Sequence, residues 1–534
     1  MFKVIVTDPI SETGLQALHA HQEFDVEQRT NLTPDELIDK IKDYDALIVR
    51  SQTQVTREVI QAADRLKVIA RAGVGVDNIN IDAATEKGII VINAPAGNTI
   101  AATEHTLAMM LSLARNIPQA YGSLTSGRWD RKHFKGVELY QKTLGVVGMG
   151  RIGTEVAKRA KGFQMNILGY DPFLTEDRAK KLGIIKASLD EIAEKADFIT
   201  VHTPLTAETR GLIDAAYLAK TKKGVRLVNC ARGGIIDEQA LVDAVNSGHV
   251  AGAAIDVFEH EPPENTGLTN NPNIIVTPHL GASTEEAQEK VAQSVSEEIV
   301  EIFTTGAVQH AINLPHISAT VQQKIKPYLV LSEQMAELLM QIFQKAPEKI
   351  KINYFGELFL EDTGLLTRQM IKALLSYYLD TAINIVNVMQ VLKAHSLSYS
   401  VQKNAAHKGF TNFIELEISH GDEKATIGCT YLPGFGGRIV SINGYRLDME
   451  PEEYLLYIRH VDVPGMIGNV GSLLGKSHIN IGSMYVGRQA IGGEAIMILT
   501  VDKPMPETAR KEILELPDLH DVQFVKLNVP EDEN

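Results

Sequence analysis

Leu144 to Gly153 reads L-G-V-V-G-M-G-R-I-G, an apolar run closing on glycines at Gly148, Gly150 and Gly153. The spacing predicts a strand that turns tightly into a helix, with the amphipathic run Thr154 to Lys161 as the helix body. Glycines at these positions let the chain turn, let its backbone approach a pyrophosphate, and let the new helix pack against its strand. The helix start then offers free NH groups and a partial positive charge to phosphates. Alone the motif is a weak signal. The next predicted strand, Met165 to Tyr170, ends in Asp171, at roughly the 20-residue spacing where a carboxylate accepts hydrogen bonds from ribose hydroxyls. A carboxylate there repels a 2′-phosphate, so the pair of features predicts NAD rather than NADP, provided no nearby arginine compensates.

At 534 residues the chain exceeds one core, and its length suggests about three or four domains. Hydrophobic residues make up 44% and charged residues 22%, and no apolar stretch has the length of a membrane span. The opening M-F-K-V-I-V-T-D reads as a strand without a signal-peptide pattern, and two cysteines, Cys230 and Cys429, fit a reducing compartment. The cytoplasm is therefore the expected location. A net charge of −15 argues against nucleic acid and anionic membrane as partners, so an anionic substrate requires a local basic cluster.

From residue 1 to about 96, short apolar strands alternate with helical segments: Val4 to Thr7, Gly14 to Ala20, Ala46 to Val49, Arg57 to Ala63, Val68 to Ala70 and Ile81 to Lys87. This predicts a parallel sheet. Arg50, followed by Ser51, and Arg71, in R-A-G-V-G-V-D, sit just beyond strands, the edge at which open α/β sheets bind ligands. Thr99 to Arg115 carries small and apolar residues almost all round and predicts a buried helix linking two domains. The polar, basic segment around Trp129, with Arg128, Arg131, Lys132 and Lys135, predicts a subunit contact, a wall of an anion site, or both.

Beyond the glycine motif, strands at Phe198 to His202, Arg226 to Asn229, Gly252 to Asp256 and Ile274 to Thr277 each end in a small polar motif. In a parallel sheet these ends converge, so Thr203, Arg232, Asp256, Glu261 and His279 are predicted to line one cleft. Ser283 with Glu286 predicts a capping box starting a helix from Glu285 to Phe303. Residues 311 to 317 read as a connector. The stretch to about 450 mixes helices near Tyr328 to Phe343 and Leu366 to Leu379 with strands near Lys349 to Phe355, Phe413 to Ser419 and Lys424 to Leu432, and shows no catalytic constellation. From Tyr454 the pattern is βαββαβ, the ferredoxin-like order, with a V-P-G-M turn that frees NH groups at a helix start.

A nicotinamide requires a carbon that exchanges hydride and a side chain that exchanges the proton on its oxygen. His279 is the candidate acid/base, Glu261 its orienting carboxylate, and Arg232 the bidentate holder of a substrate carboxylate. His202 ranks second because no paired carboxylate lies near it. Cys230 is discounted as a nucleophile for want of a base. No His/Cys/Asp group shows metal-ligand spacing, so no metal is expected.

The motifs A-G-V-G-V-D-N, G-M-G-R-I-G, H-T-P-L-T, N-C-A-R-G-G-I-I-D-E, A-I-D-V-F-E-H-E-P and T-P-H-L-G-A-S-T resemble the D-isomer-specific 2-hydroxyacid dehydrogenase family over residues 1 to about 315. The later motifs G-L-L-T-R-Q, I-N-I-V-N-V and R-I-V-S-I-N-G-Y are similar to the allosteric substrate-binding (ASB) domain of its long-form phosphoglycerate dehydrogenase branch, and the end is similar to an ACT domain. The resemblance implies two Rossmann-like, doubly wound parallel-sheet domains, followed by an α+β ASB-like domain and a βαββαβ ACT domain. Its boundaries are residues 1–98 with 286–314 for substrate, 99–285 for NAD, 317–450 for the ASB-like unit and 453–531 for the ACT domain. It further implies NAD-dependent oxidation of 3-phosphoglycerate, the entry to serine synthesis, with L-serine as an expected effector and a homodimer or homotetramer as the assembly.

By motif position the family's catalytic residues fall on Arg232, Glu261 and His279. Its NAD contacts fall on Val74, Arg151, Ile152, Asp171, Thr203, Cys230, Ala231, Arg232, Asp256, His279, Leu280, Gly281 and Ala282, beside the three glycines. Substrate contacts fall on Arg50, Ser51, Arg71 and Asn98, with Arg131 and Lys135 approaching the phosphate from a partner subunit. Effector contacts fall on His460, Asp462 and Asn480. Val74 stands where some members carry threonine, which removes a side-chain hydrogen bond and leaves the backbone contact. Two alternatives stay open at this level. One is another D-2-hydroxyacid activity, such as glyoxylate, hydroxypyruvate or 2-oxoglutarate reduction; the other is a non-catalytic NAD(H) sensor on the same fold.

Overall fold

Strands buried on both faces read as continuous apolar runs, and A-L-I-V at Ala46–Val49 is buried at every position. The computed structural model describes residues 1–264, 266–315, 319–406 and 408–529. Residues 316 and 317 of the expected connector and 530 and 531 of the expected terminal unit lie outside these.

Strands β1 (Phe2–Val6), β2 (Phe24–Gln28), β3 (Ala46–Val49), β4 (Val68–Arg71) and β5 (Ile90–Asn93) form a parallel sheet in the order β2-β1-β3-β4-β5. The strand order reverses between β1 and β3, so the loops after these two strands diverge and leave a crevice at Asp8 and Arg50. Helix α1 (Thr99–Arg115) then crosses to a second sheet. That sheet holds β6 (Thr143–Val147), β7 (Asn166–Tyr170), β8 (Ile185–Lys186), β9 (Phe198–Val201), β10 (Val225–Asn229), β11 (Val250–Ile255) and β12 (Ile274–Val276), in the order β12-β11-β10-β9-β6-β7-β8. All pairings in it are parallel, and the reversal falls between β6 and β9. Gly148 follows β6 and His202 follows β9, so the glycine motif opens at the crevice. Helix α2 (Arg151–Ala160) starts there with Gly150 as its N-cap, three residues earlier than the amphipathic run suggested.

Helix α3 (Glu285–Thr305) returns the chain to the first sheet, where Val291, Val295 and Ile299 join its core. The Ser283–Glu286 capping box is not formed. Thr284 is the N-cap and accepts from the Ala287 amide at 3.1 Å, because Ser283 is still held in the preceding turn by Leu280. Asn313 closes the return, accepting from the Val91 amide and donating to Thr85 and to the Ile89 carbonyl.

Beyond it, α4 (Ala319–Phe343) and α5 (Gly364–Ser376) pack on a mixed sheet of β13 (Lys349–Gly356), β14 (Ser398–Asn404), β15 (Asn412–His420), β16 (Glu423–Leu432), β17 (Gly436–Ile442) and β18 (Tyr445–Met449). Only β13 and β14 pair parallel. The last unit orders β19 (Tyr454–Val461), β20 (Ile481–Arg488), β21 (Glu494–Val501) and β22 (Leu519–Lys526) as β20-β21-β19-β22, with α6 (Met466–Lys476) and α7 (Glu507–Leu514) completing βαββαβ. Its edge strand β22 is covered rather than left open. Gln341 on α4 donates to the Lys526 carbonyl at 2.8 Å and accepts from the Lys526 amide at 3.0 Å.

Candidate active site

The turn after β6 is built for close approach. Gly148 sits at φ +97°, and a Cβ there would lie 2.6 Å from the His202 carbonyl oxygen; one on Gly153 would lie 1.9 Å from the Gly148 oxygen. A Cβ on Gly150 meets nothing within 4 Å, so the middle glycine faces open space at a helix start. Across the crevice, Thr203 Oγ1 is buried without a hydrogen-bond partner. A glycine cradle, free helix NH groups and an orphaned hydroxyl together fit the pyrophosphate of a dinucleotide. Asp171 accepts from the Met149 amide at 2.9 Å and from the Phe173 amide at 2.8 Å, which fixes its carboxylate beside the glycine turn. Arg178 is the arginine nearby, and it donates to the Met149 carbonyl at 2.9 Å. Ala231 is held by its amide on Asn229 Oδ1, and Arg151 reaches back to the Pro95 carbonyl. The Val74 carbonyl is taken by Asn93 Nδ2 at 2.6 Å. Ile152 and Ala282 are half-buried, and Leu280 is exposed.

The strand ends converge. Gly233 lies so close to the Phe258 carbonyl that a Cβ would stand 1.9 Å from its oxygen, which brings the loop carrying Glu261 down beside Arg232. Arg232 crosses to the first unit: its Nε is 3.1 Å from Asp77 Oδ2, and a Cβ on Gly75 would overlap its guanidinium. Glu261 Oε2 is 2.8 Å from His279 Nδ1, and Oε1 accepts from the Phe258 amide at 3.2 Å. Burial would raise the Glu261 pKa, but the hydrogen bond and charge of His279 and the Phe258 amide outweigh it and hold the carboxyl below its ordinary range.

His279 itself stands at φ +54°. Holding a side-chain-bearing residue there costs about 1–2 kcal/mol. Fully buried Asp256 holds it. Its backbone carbonyl accepts from the His279 amide at 2.9 Å, and its carboxylate accepts from Leu280 at 2.8 Å, Gly281 at 2.9 Å and the Thr277 hydroxyl at 2.6 Å. Hydrogen bonds to a charged group contribute about 1.5–3 kcal/mol each, enough to offset the strain.

On the first sheet, Asp8 organises the loop after β3, accepting from the Arg50 amide at 2.5 Å and from the Thr53 hydroxyl at 2.6 Å. Asn78 donates to the Arg50 carbonyl and accepts from Arg71 Nε, tying both arginines together. Burial, with Asp8 partly opposing and Arg50 and Arg232 adding to it, pushes Arg71 down to about 10. Arg50 and Arg232 thus lie close enough for their charges to act on the largely buried Arg71 guanidinium. Ser51 is exposed at its rim, and Asn98, preceding α1, has a buried Oδ1 without a partner. Arg131 and Lys135 are exposed on a segment whose own ion pairs run from Arg128 and His133 to Asp130, and they are not among the principal charges acting on Arg71.

His202 is unsuited to proton exchange near neutral pH, since burial pushes its imidazole down to about 4. Burial likewise pushes the Cys230 thiol up, away from the thiolate. His105, Cys230 and Asp256 do bring donor atoms within 4.8 Å of one another, a gathering from three elements that linear spacing hides. Asp77, Asn78, Asp8 and His105 were not singled out from the sequence. Asp8 was within reach of the strand-end argument, and Asp77 lies inside a quoted motif.

In the last unit, His460 is buried, with Nδ1 on the Val461 carbonyl and Nε2 unpartnered, and nearby Asp462 pairs with Arg488 at 3.1 Å, which lowers its pKa. Asn480 is not with them. Helix α6 carries the chain back before β20, so Asn480 opens that strand at its far end, beside Asp502.

The chain matches three family profiles: "D-isomer specific 2-hydroxyacid dehydrogenase, NAD binding domain" over residues 107–281, "D-3-phosphoglycerate dehydrogenase intervening domain" over 324–443, and "ACT domain" over 454–518. It is 46% identical to D-3-phosphoglycerate dehydrogenase of Bacillus subtilis over 99% of this chain and all of that one. It is 44% identical to the protein of the same name from Methanocaldococcus jannaschii, again over 99% of this chain and all of that one. Among solved structures it is similar to the NAD+-bound 3-phosphoglycerate dehydrogenase of Entamoeba histolytica, with a TM-score of 0.51 and 30% identity over 58% of this chain and 98% of that one.

Proposed function

Since the chain belongs to the D-3-phosphoglycerate dehydrogenase family, we infer that it oxidises 3-phospho-D-glycerate to 3-phosphohydroxypyruvate with NAD, the first step of the phosphorylated route to L-serine. The observation that carries this reading is the largely buried Arg71 with Arg50 and Arg232 close enough to act on it, a cationic place in a chain of net charge −15. A phosphate dianion arriving there restores the stabilisation that burial removed from Arg71.

NAD, when bound, supplies the hydride acceptor. Gly148, Gly150, Gly153, the start of α2 and the Thr203 hydroxyl would hold its pyrophosphate, Asp171 its adenine ribose, and Asp256 with the turn from His279 to Ala282 its nicotinamide end. Arg232 holds the substrate carboxylate and polarises the carbon–oxygen bond as carbonyl character develops. His279 Nε2, the ring nitrogen left free when Nδ1 faces Glu261, takes the hydroxyl proton as hydride leaves the carbon. Glu261 orients the ring and stabilises the imidazolium. Arg50 and Arg71 take the phosphate, Ser51 and Asn98 add hydrogen bonds, and Arg131 and Lys135 reach it from a second subunit.

In this reading residues 1–98 with 286–314 bind substrate, 99–285 bind NAD, and 317–450 and 453–531 regulate. L-serine is the effector, bound at His460 and Asp462 of one ACT unit with Asn480 of another. The protein works in the cytoplasm as a homodimer or homotetramer. NADH absorbance with 3-phosphoglycerate, lactate, glycerate and 2-hydroxyglutarate tests the substrate. Turnover is expected only with the phosphorylated acid, and Arg71→Met raises its KM about 100-fold for the loss of a charge-assisted contact. Preferred turnover of an unphosphorylated acid overturns the assignment.

A further inference from the structure

We propose that His105, in the middle of the domain-linking helix α1, is a positioning residue for His279, acting through Asp256. This rests on the reading of His279 as the proton-exchanging group. His105 Nε2 is 3.1 Å from Asp256 Oδ1 and 3.3 Å from Thr277 Oγ1. Among the described residues, no lysine or arginine pairs with Asp256, and His105 is the one side chain able to carry positive charge that does.

The two neighbours of His105 fix which way the hydrogen bonds run. The Thr277 hydroxyl donates to Asp256 Oδ1 at 2.6 Å, so that oxygen and the lone pairs of the hydroxyl both face Nε2 as acceptors. The ring therefore keeps its hydrogen on Nε2. With that hydrogen Asp256 Oδ1 has three donors, from Leu280, Thr277 and His105, and Oδ2 has the Gly281 amide. Without it, a fully buried carboxylate loses one of its four donors. The carboxylate is also what grips residues 277 to 281 and holds His279 in its left-handed conformation. Loosening it lets the ring drift from Glu261 and from the substrate oxygen, and misplacement by about 1 Å costs on the order of 100-fold in rate. Because α1 begins beside Asn98 and packs under β10, β11 and β12, His105 fastens the proton-exchanging loop to the element that joins the two sheets.

The test compares purified full-length His105→Leu and His105→Gln with wild type for NADH formation from 3-phosphoglycerate, resolving kcat from KM. Leucine fills the space without a donor, whereas the glutamine amide places an N–H near the position of Nε2. The leucine variant is expected to lose about tenfold or more in kcat with little change in the KM for 3-phosphoglycerate, and the glutamine variant to recover most of it. Should the leucine variant fold poorly, His105→Asn, polar but too short to reach Oδ1, takes its place with the same expectation. Equal kcat in wild type and the donor-less variant overturns the proposal, as does a glutamine variant no better than leucine. Failure of the underlying reading has a different signature: wild type without turnover on any 2-hydroxy acid, or His279→Asn with wild-type kcat.

Discussion

Glu261 Oε2 stands 2.8 Å from His279 Nδ1, although the two residues reach each other from separate loops, one after β11 and the other after β12. Their pairing has a pH signature. The folded protein holds the Glu261 carboxyl below its ordinary pKa, so the unfolded chain binds that proton more readily. The stabilisation is complete above the unfolded carboxylate range and is lost as pH falls through the folded value. Thermal unfolding of wild type and Glu261→Gln should therefore differ at pH 7 and begin to converge only as the pH falls below the ordinary carboxylate value of about 4.5. A difference that grows on acidification contradicts this.

The three glycines of the β6 turn should separate folding from cofactor binding. Gly148→Ala forces a φ of +97° on alanine and sets a Cβ 2.6 Å from a carbonyl oxygen, at a cost of about 1–3 kcal/mol. Gly153→Ala requires backbone to move and costs about 3 kcal/mol or more. Gly150→Ala meets nothing in the protein, so it should cost only about 1 kcal/mol, the loss of glycine at an N-cap. Its KM for NAD should nonetheless rise about tenfold or more, because the methyl stands where a pyrophosphate approaches. Chemical denaturation beside NAD titration of kinetics reads both effects.

Asp171 is anchored by two backbone amides, so its charge is fixed next to the helix start. Asp171→Asn should lower kcat/KM for NAD about tenfold while leaving or raising that for NADP, since a 2′-phosphate no longer meets a carboxylate. Arg178, pinned on the Met149 carbonyl, is the cation positioned to receive that phosphate. An unchanged NAD to NADP ratio assigns the preference elsewhere.

The sequence made the parallel-sheet architecture readable wherever a buried strand ended in a motif. Thr99 to Arg115 and Ala46 to Val49 fall where the apolar runs predict them. What it hid were the elements without a burial period. β2 is a five-residue edge strand with only Phe24 buried, and every residue of β14 is exposed, so neither carries the continuous apolar run that marks the inner strands. The residues proposed for chemistry, Arg232, Glu261 and His279, were legible because each follows a strand in a sheet whose ends must converge. Their supports were not. Asp8 and His105 are polar residues whose partners lie more than 40 positions away, and Asn78 joins Arg71 to the distant Arg50 loop, none of which linear spacing reveals. Thr284 rather than Ser283 caps α3 because the preceding turn is held to Asp256, again a tertiary fact. Asn480 is grouped with His460 only through the resemblance and, within one chain, stands at the far end of β20, which the direction of α6 decides.

The most direct measurement is the steady-state rate of NADH formation from 3-phosphoglycerate by wild type and by His279→Asn, at saturating NAD, with NADH binding followed by fluorescence in both. The account predicts a kcat lower by about 10²–10⁴ in the variant with NADH affinity retained, the size expected for loss of a positioned acid/base. A variant that turns over within a few-fold of wild type contradicts the assignment of proton exchange to His279.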